Sequence, residues 1–204
     1  MIIERFNKQV HTHGNRPAIK TGTRTLSYID LDRVSNRYAN LVRQKTAGKQ
    51  GERIGILTED PAETIAGILG ILKAGCVYVP MDMEMPVKRI DYMIRHAGIR
   101  IMVTDELYRE RILEAAGDTE PEIIVPHHLD SMPGDLEFTR EILSDKGASL
   151  LYTSGSTGKP KGVLQYHRNI LYFIDRYAEN IGVTEGIHMT LLASFAHDVT
   201  LLDM

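Results

Sequence analysis

The chain has 204 residues, 43% hydrophobic and 25% charged, the composition of an ordinary globular protein. Its formal net charge of -3 is spread over interspersed acidic and basic residues, which gives no electrostatic reason to expect a nucleic-acid partner and excludes a charged tail. One cysteine, Cys76, excludes an internal disulfide, and no apolar stretch approaches the roughly 20 residues needed to span a bilayer. The start, Met1-Ile2-Ile3-Glu4-Arg5-Phe6, lacks the basic-then-apolar order of a signal peptide. A cytoplasmic protein is expected, with neither a nucleic acid nor a membrane as partner.

In chain order, an N-terminal helix is followed by a small hairpin over residues 18–26 that turns at Thr21-Gly22. Ser27 with Asp30 forms a capping box, and Leu31, Val34, Tyr38, Leu41 and Val42 then mark one apolar helical face. Asp60-Pro61 with Glu63 starts a second helix, carrying Ile65, Ile68, Leu69 and Leu72 and stopping at Gly75. Pro86 opens a third, with Ile90, Met93, Ile94 and Ala97 facing inward and Gly98 at its end. Between these helices stand short apolar runs at residues 54–57, 77–79, 101–103, 123–125 and 149–152, apolar at both alternate positions as strands covered on both faces are. The alternation predicts an α/β fold of layered, largely parallel sheet with helices on both faces. Residues 126–147, with Pro126 and Pro133-Gly134, read as a surface excursion. The expected division is a first α/β subdomain over 1–147 and the start of a second over 148–204.

The most informative stretch is Tyr152-Thr153-Ser154-Gly155-Ser156-Thr157-Gly158-Lys159-Pro160-Lys161-Gly162-Val163. Its glycines let backbone amides approach an anion, and the hydroxyls of Thr153, Ser154, Ser156 and Thr157 stand beside Lys159 and Lys161. Such donors suit the oxygens of a polyphosphate. A flexible Gly/Ser linker would need neither two lysines around a proline nor a place between two apolar strands. A Walker-type loop requires four residues between its glycines and a Ser or Thr after the lysine. Here two residues separate Gly155 from Gly158, and Pro160 follows Lys159. The Walker reading fails.

This segment resembles the signature phosphate loop of the adenylate-forming superfamily, which includes nonribosomal peptide synthetase adenylation domains, acyl- and aryl-CoA ligases and luciferase-like enzymes. Leu26-Ser27-Tyr28-Ile29-Asp30-Leu31 resembles the first core motif of the amino-acid-activating branch, and residues 72–82 resemble its second. The resemblance covers nearly the whole chain. It implies an amino-acid adenylating ligase of the nonribosomal peptide synthetase type, as found in antibiotic biosynthesis, using ATP with its Mg2+ and loading a carrier protein through a phosphopantetheine thiol. Within the second motif, cap and strand physics already account for each residue, and Cys76 reads as a small buried hydrophobe.

Ala193-Ser194-Phe195-Ala196-His197-Asp198-Val199-Thr200 aligns with the family segment written Phe-Asp-x-Ser. On that resemblance Asp198 pairs with the substrate ammonium, while Val199 and Leu202, with His197 beside them, line the side-chain pocket. His197 departs from the usual phenylalanine and Thr200 from the usual serine. Asp198 also suits the N-cap of a helix beginning at Val199, and one carboxylate can do both. His167, after the loop, is open between a nucleotide or substrate contact and a helix start. The remaining histidines form no metal site. The family's catalytic lysine lies beyond Met204, so the 204 residues alone are expected to be inactive. A fragment of an acyl- or aryl-CoA ligase, or a non-catalytic nucleotide-binding module, is the alternative.

Overall fold

The computed structural model describes every residue except 23, 130–133, 135–144, 154–159, 191–194 and 197–204, and for 127 and 128 the backbone alone. Helix α1 (Ile2–His13) leads into the antiparallel pair β1 (Pro17–Lys20) and β2 (Thr25–Ser27), in which Ile19 faces Leu26 and Lys20 faces Thr25. The Thr21 amide closes the turn on the Arg24 carbonyl at 2.8 Å. Ser27 then caps α2 (Tyr28–Lys45): its Oγ accepts from the Asp30 amide and the Asp30 carboxylate accepts from the Ser27 amide. This capping box serves two first-turn donors that no helical carbonyl reaches.

Alternation follows as the apolar runs predict: β3 (Arg53–Leu57), α3 (Pro61–Lys73), β4 (Val77–Pro80), α4 (Val87–Ala97), β5 (Ile101–Thr104), α5 (Glu106–Ala116) and β6 (Glu122–Ile124). After a 3-10 turn at Pro126–Leu129 come β7 (Gly147–Thr153), β8 (Lys161–Tyr166) and α6 (His167–Ile181). The six strands lie in the order β6-β5-β3-β4-β7-β8, with β3 to β7 parallel and β8 returning antiparallel to β7. The expected division between residues 147 and 148 falls at the head of β7. Because β7 takes its place beside β4, with Tyr78 opposite Ser149, one sheet runs across that point.

Side chains alternate between two cores. Ile54, Ile56, Tyr78, Ile101, Val103 and Leu151 face Tyr38, Ile68, Ile71 and Leu72 of α2 and α3, and Ile3 of α1 and Ile170 of α6 join them. Leu57, Val77, Val79, Met102, Leu150 and Tyr152 face Ile90, Met93 and Ile94 of α4 and Tyr108 and Ile112 of α5. Two-sided cover explains why these strands read as unbroken apolar runs.

The apolar face expected for α2 is only part of what it buries. Ser35 and Asn36 are buried too, because α3 brings Lys73 against them. The helices meet closely at Gly70, where an added Cβ would lie 2.3 Å from Tyr38 Cβ and 2.8 Å from the Ser35 carbonyl oxygen. No described helix is long and apolar enough to cross a membrane.

Candidate active site

Parallel strands β3 to β7 deliver their C-terminal ends, Leu57, Pro80, Thr104, Ile124 and Thr153, to one edge of the sheet, where open α/β sheets bind ligands. The two flanks of that edge differ in charge. Around β3 and β5 it is acidic: Asp60 caps α3 through the Ala62 amide, the Glu59 amide donates to Asp105 at 2.5 Å, and Tyr38 Oη donates to Glu63 at 2.8 Å. Burial, then the neighbouring carboxylates, raises the pKa of Asp105 above the usual carboxylate value. Arg24 answers part of this charge, at 2.6 Å from Glu63 and 3.0 Å from Asp60. A polyphosphate would be repelled from that flank; β7 and β8 stand apart from it, on the far side of β4.

On the other flank the β7–β8 hairpin sets Tyr152 opposite Gly162 and Thr153 opposite Lys161. Thr153 and Lys161 are both exposed at its mouth, so one hydroxyl and one ammonium of the glycine-rich segment stand at paired positions. A side chain at Gly162 would be tightly placed here. An added Cβ would lie 3.2 Å from Leu150 Cδ1 and 3.4 Å from Tyr152 Cζ, under the tyrosine ring. Ser154, Gly155, Ser156, Thr157, Gly158 and Lys159 lie outside the described residues, as do His197, Asp198, Val199 and Leu202. Of the described residues just ahead of them, Ala196 is buried in the same apolar cluster as Leu150 and Tyr152. Ala196, 44 residues after Tyr152, thus shares its core on this side of the sheet, while Phe195 packs against the opposite core.

Tyr152 is also gripped from α4, a feature the sequence reading missed. Arg89 Nη2 donates to the Tyr152 carbonyl at 3.3 Å, and the Tyr152 hydroxyl and His96 Nδ1 share a 2.8 Å hydrogen bond. The Tyr92 ring stacks on His96 at 5.2 Å and meets Tyr152 edge-on at 6.4 Å. Burial, reinforced by Tyr92, pushes the Tyr152 phenol up to about 12, so its hydroxyl keeps its proton at neutral pH. A signal was present: Arg89, Tyr92 and His96 lie three and four residues apart, on one helical face. It was overlooked because Ile90, Met93, Ile94 and Ala97 already account for an inward face.

His167 opens α6 with its amide donating to the Lys146 carbonyl at 3.2 Å. The residue is 1% exposed, and its Nδ1 has no hydrogen-bond partner among the described residues. Burial, with the Met1 ammonium as the lesser cause, lowers its pKa to about 4. The unfolded chain therefore holds a proton near pH 5 that the folded one does not. Stability from this residue is present above pH 6.5 and is lost as pH falls towards 4. Over that interval a His167→Leu variant should lose less stability than the unaltered protein, by up to roughly 3 kcal/mol. Urea unfolding at several pH values tests this through the slope alone, and parallel slopes for the two proteins would refute it.

Comparison with known proteins puts this geometry in a family. The profile described as "AMP-binding enzyme" matches residues 6–204. Surfactin synthase subunit 2 of Bacillus subtilis (strain 168) is 32% identical over 200 residues, which cover 95% of this chain and 5% of that one. Among solved structures, the nonribosomal peptide synthetase FmoA3 in its AMPPNP-bound form superposes with a TM-score of 0.88 at 24% identity, over 100% of this chain and 21% of that one. The same protein bound to alpha-methyl-L-serine-AMP gives a TM-score of 0.86 at 24% identity, over 98% of this chain and 22% of that one. The chain thus spans a small part of the length of the relatives it matches.

Proposed function

The chain belongs to the AMP-binding enzyme family, and on that footing we propose that the protein carrying it activates an amino acid carboxylate with ATP, as an adenylating ligase of the nonribosomal peptide synthetase type. A carboxylate oxygen of the amino acid attacks the α-phosphorus of ATP. The bond from that phosphorus to the bridging oxygen breaks, and pyrophosphate leaves with the electron pair. The products are an aminoacyl adenylate and pyrophosphate; the thiol of a carrier domain's phosphopantetheine, losing its proton, then attacks the aminoacyl carbonyl, and AMP leaves as the thioester forms. Relatives support this reading, since FmoA3 has been solved with an amino-acid adenylate bound.

In this proposal the hydroxyls of Thr153, Ser154, Ser156 and Thr157, the amides around Gly155 and Gly158, and Lys159 and Lys161 hold the phosphates. Their role is to meet charge that shifts onto the departing oxygens, with donors fixed before reaction. Asp198 receives the substrate ammonium, and Val199, Leu202 and His197 contribute to the side-chain pocket. Magnesium enters bound to ATP through phosphate oxygens. Among the described residues no group of three or more His, Cys, Asp or Glu side chains is placed to hold a metal ion, and no step is assigned to it.

The observation that most supports the reading is the hairpin seating of the phosphate segment, with Thr153 opposite Lys161 on the less acidic flank of the sheet edge. The test is exchange of labelled pyrophosphate into ATP by the whole protein with each of the twenty amino acids. At least one amino acid should drive exchange at least tenfold above the rate without it. Exchange driven by fatty or aryl acids and by no amino acid would transfer the protein to the acyl-CoA ligase branch. No exchange with any acid would leave a non-catalytic nucleotide-binding module.

A further inference from the structure

The C-terminal end of β7 extends beyond the sheet neighbour on its inner side. Tyr78 stands opposite Ser149, so β4 ends at Pro80, level with Leu151, and Tyr152 and Thr153 run past it. On the outer side β8 still pairs with both. Across the missing inner ladder the neighbour is α4, and it contributes one contact to the main chain and one to the side chain of the same residue. Arg89 donates to the Tyr152 carbonyl, and His96, stacked under Tyr92, meets the Tyr152 hydroxyl. A strand end held on one side only is free to twist about its hairpin partner. Gripped on both, it fixes where Thr153 and Lys161 stand.

We propose that Arg89, with the Tyr152–His96 pair, is a positioning element for ATP: α4 sets the mouth of the phosphate hairpin and thereby the affinity for the triphosphate. The proposal deepens the adenylation reading and rests on it. Arg89 touches no substrate in this scheme. It acts through the Tyr152 carbonyl, one residue before Thr153.

The experiment compares Arg89→Met, Arg89→Lys and Tyr152→Phe in the whole protein. Arg89→Met keeps the alkyl stem and removes the donor. It should raise the Kd for ATP, measured by calorimetry, and the KM for ATP in pyrophosphate exchange, each about tenfold, as loss of a charged donor to a buried carbonyl does. The KM for the amino acid should stay within about twofold. Arg89→Lys restores a donor and should recover most of the affinity. Tyr152→Phe retains the ring over Gly162 but loses the link to His96, and should raise the Kd about threefold. An unchanged Kd for ATP in Arg89→Met, beside normal exchange in the unaltered protein, overturns the proposal. So does a fall in kcat with both KM values and the Kd unmoved, since that reports only less folded protein. Failure of the underlying reading looks different: the unaltered protein would show no exchange with any amino acid, and the positioning role would fall with it.

Discussion

Replacing Lys73 by methionine should cost the fold about 3–5 kcal/mol, the usual cost of removing one partner from a buried ion pair. The Lys73 side chain is 1% exposed at the end of α3, and its ammonium is fully engaged. It donates to Asp32 Oδ1 at 2.6 Å, Ser35 Oγ at 2.7 Å and Asn36 Oδ1 at 2.8 Å, all on one face of α2. The Asp32 carbonyl accepts at 3.3 Å, and the Phe6 ring of α1 lies 5.2 Å away. Burial depresses the lysine pKa while Asp32 opposes the shift, so the network favours the charged form against its surroundings.

Methionine fills a similar volume but leaves those acceptors without a donor where water reaches only Asp32, whose side chain is 26% exposed. Asp32→Asn keeps an acceptor and should cost less, about 1–2 kcal/mol. Urea denaturation of the three proteins decides the matter. A Lys73→Met midpoint within about 1 kcal/mol of the unaltered protein would mean that the network contributes specificity of packing and little stability.

The second large effect concerns Asp198. With Asp198→Ala, amino-acid-dependent pyrophosphate exchange should fall by about a hundredfold to a thousandfold, the equivalent of losing a buried partner for the substrate ammonium. The loss should appear mainly in kcat/KM for the amino acid, with the Kd for ATP nearly unchanged, because the proposal pairs Asp198 with the substrate ammonium and gives it no part in holding the phosphates. A desamino analogue, the same acid lacking its amine, should lose its handicap in the variant, because no unpaired carboxylate remains in the pocket. If Asp198→Ala exchanges as fast as the unaltered protein, the ammonium assignment fails and the helix-capping role alone survives. The contrast with Arg89→Met is useful: one variant separates the amino acid from catalysis, the other the triphosphate.

What could be read from the sequence was local. Ser27 with Asp30, and Asp60 with Pro61, mark helix starts because a cap is satisfied within three residues of itself. The strands at 54–57, 77–79 and 101–103 stand out because two-sided burial demands apolar residues at consecutive positions. The proposed phosphate segment stands out in the sequence for the same reason: its glycines, hydroxyls and lysines are neighbours in the chain.

Tertiary structure alone decided which distant residues meet. That β7 joins the first sheet, that β8 returns antiparallel and sets Lys161 against Thr153, and that Arg89 and His96 reach Tyr152 from 63 and 56 residues away are outcomes of packing. Lys73 makes the point most sharply. In the chain it is an ordinary cation in the last turn of a helix, and no pattern within α3 marks it as buried. It becomes the centre of a polar network only because Gly70 lets α3 approach the Ser35 and Asn36 face of α2. Capping and periodicity act over one helical turn, whereas the burial of a charge depends on partners brought from about 40 residues away, which no local pattern encodes.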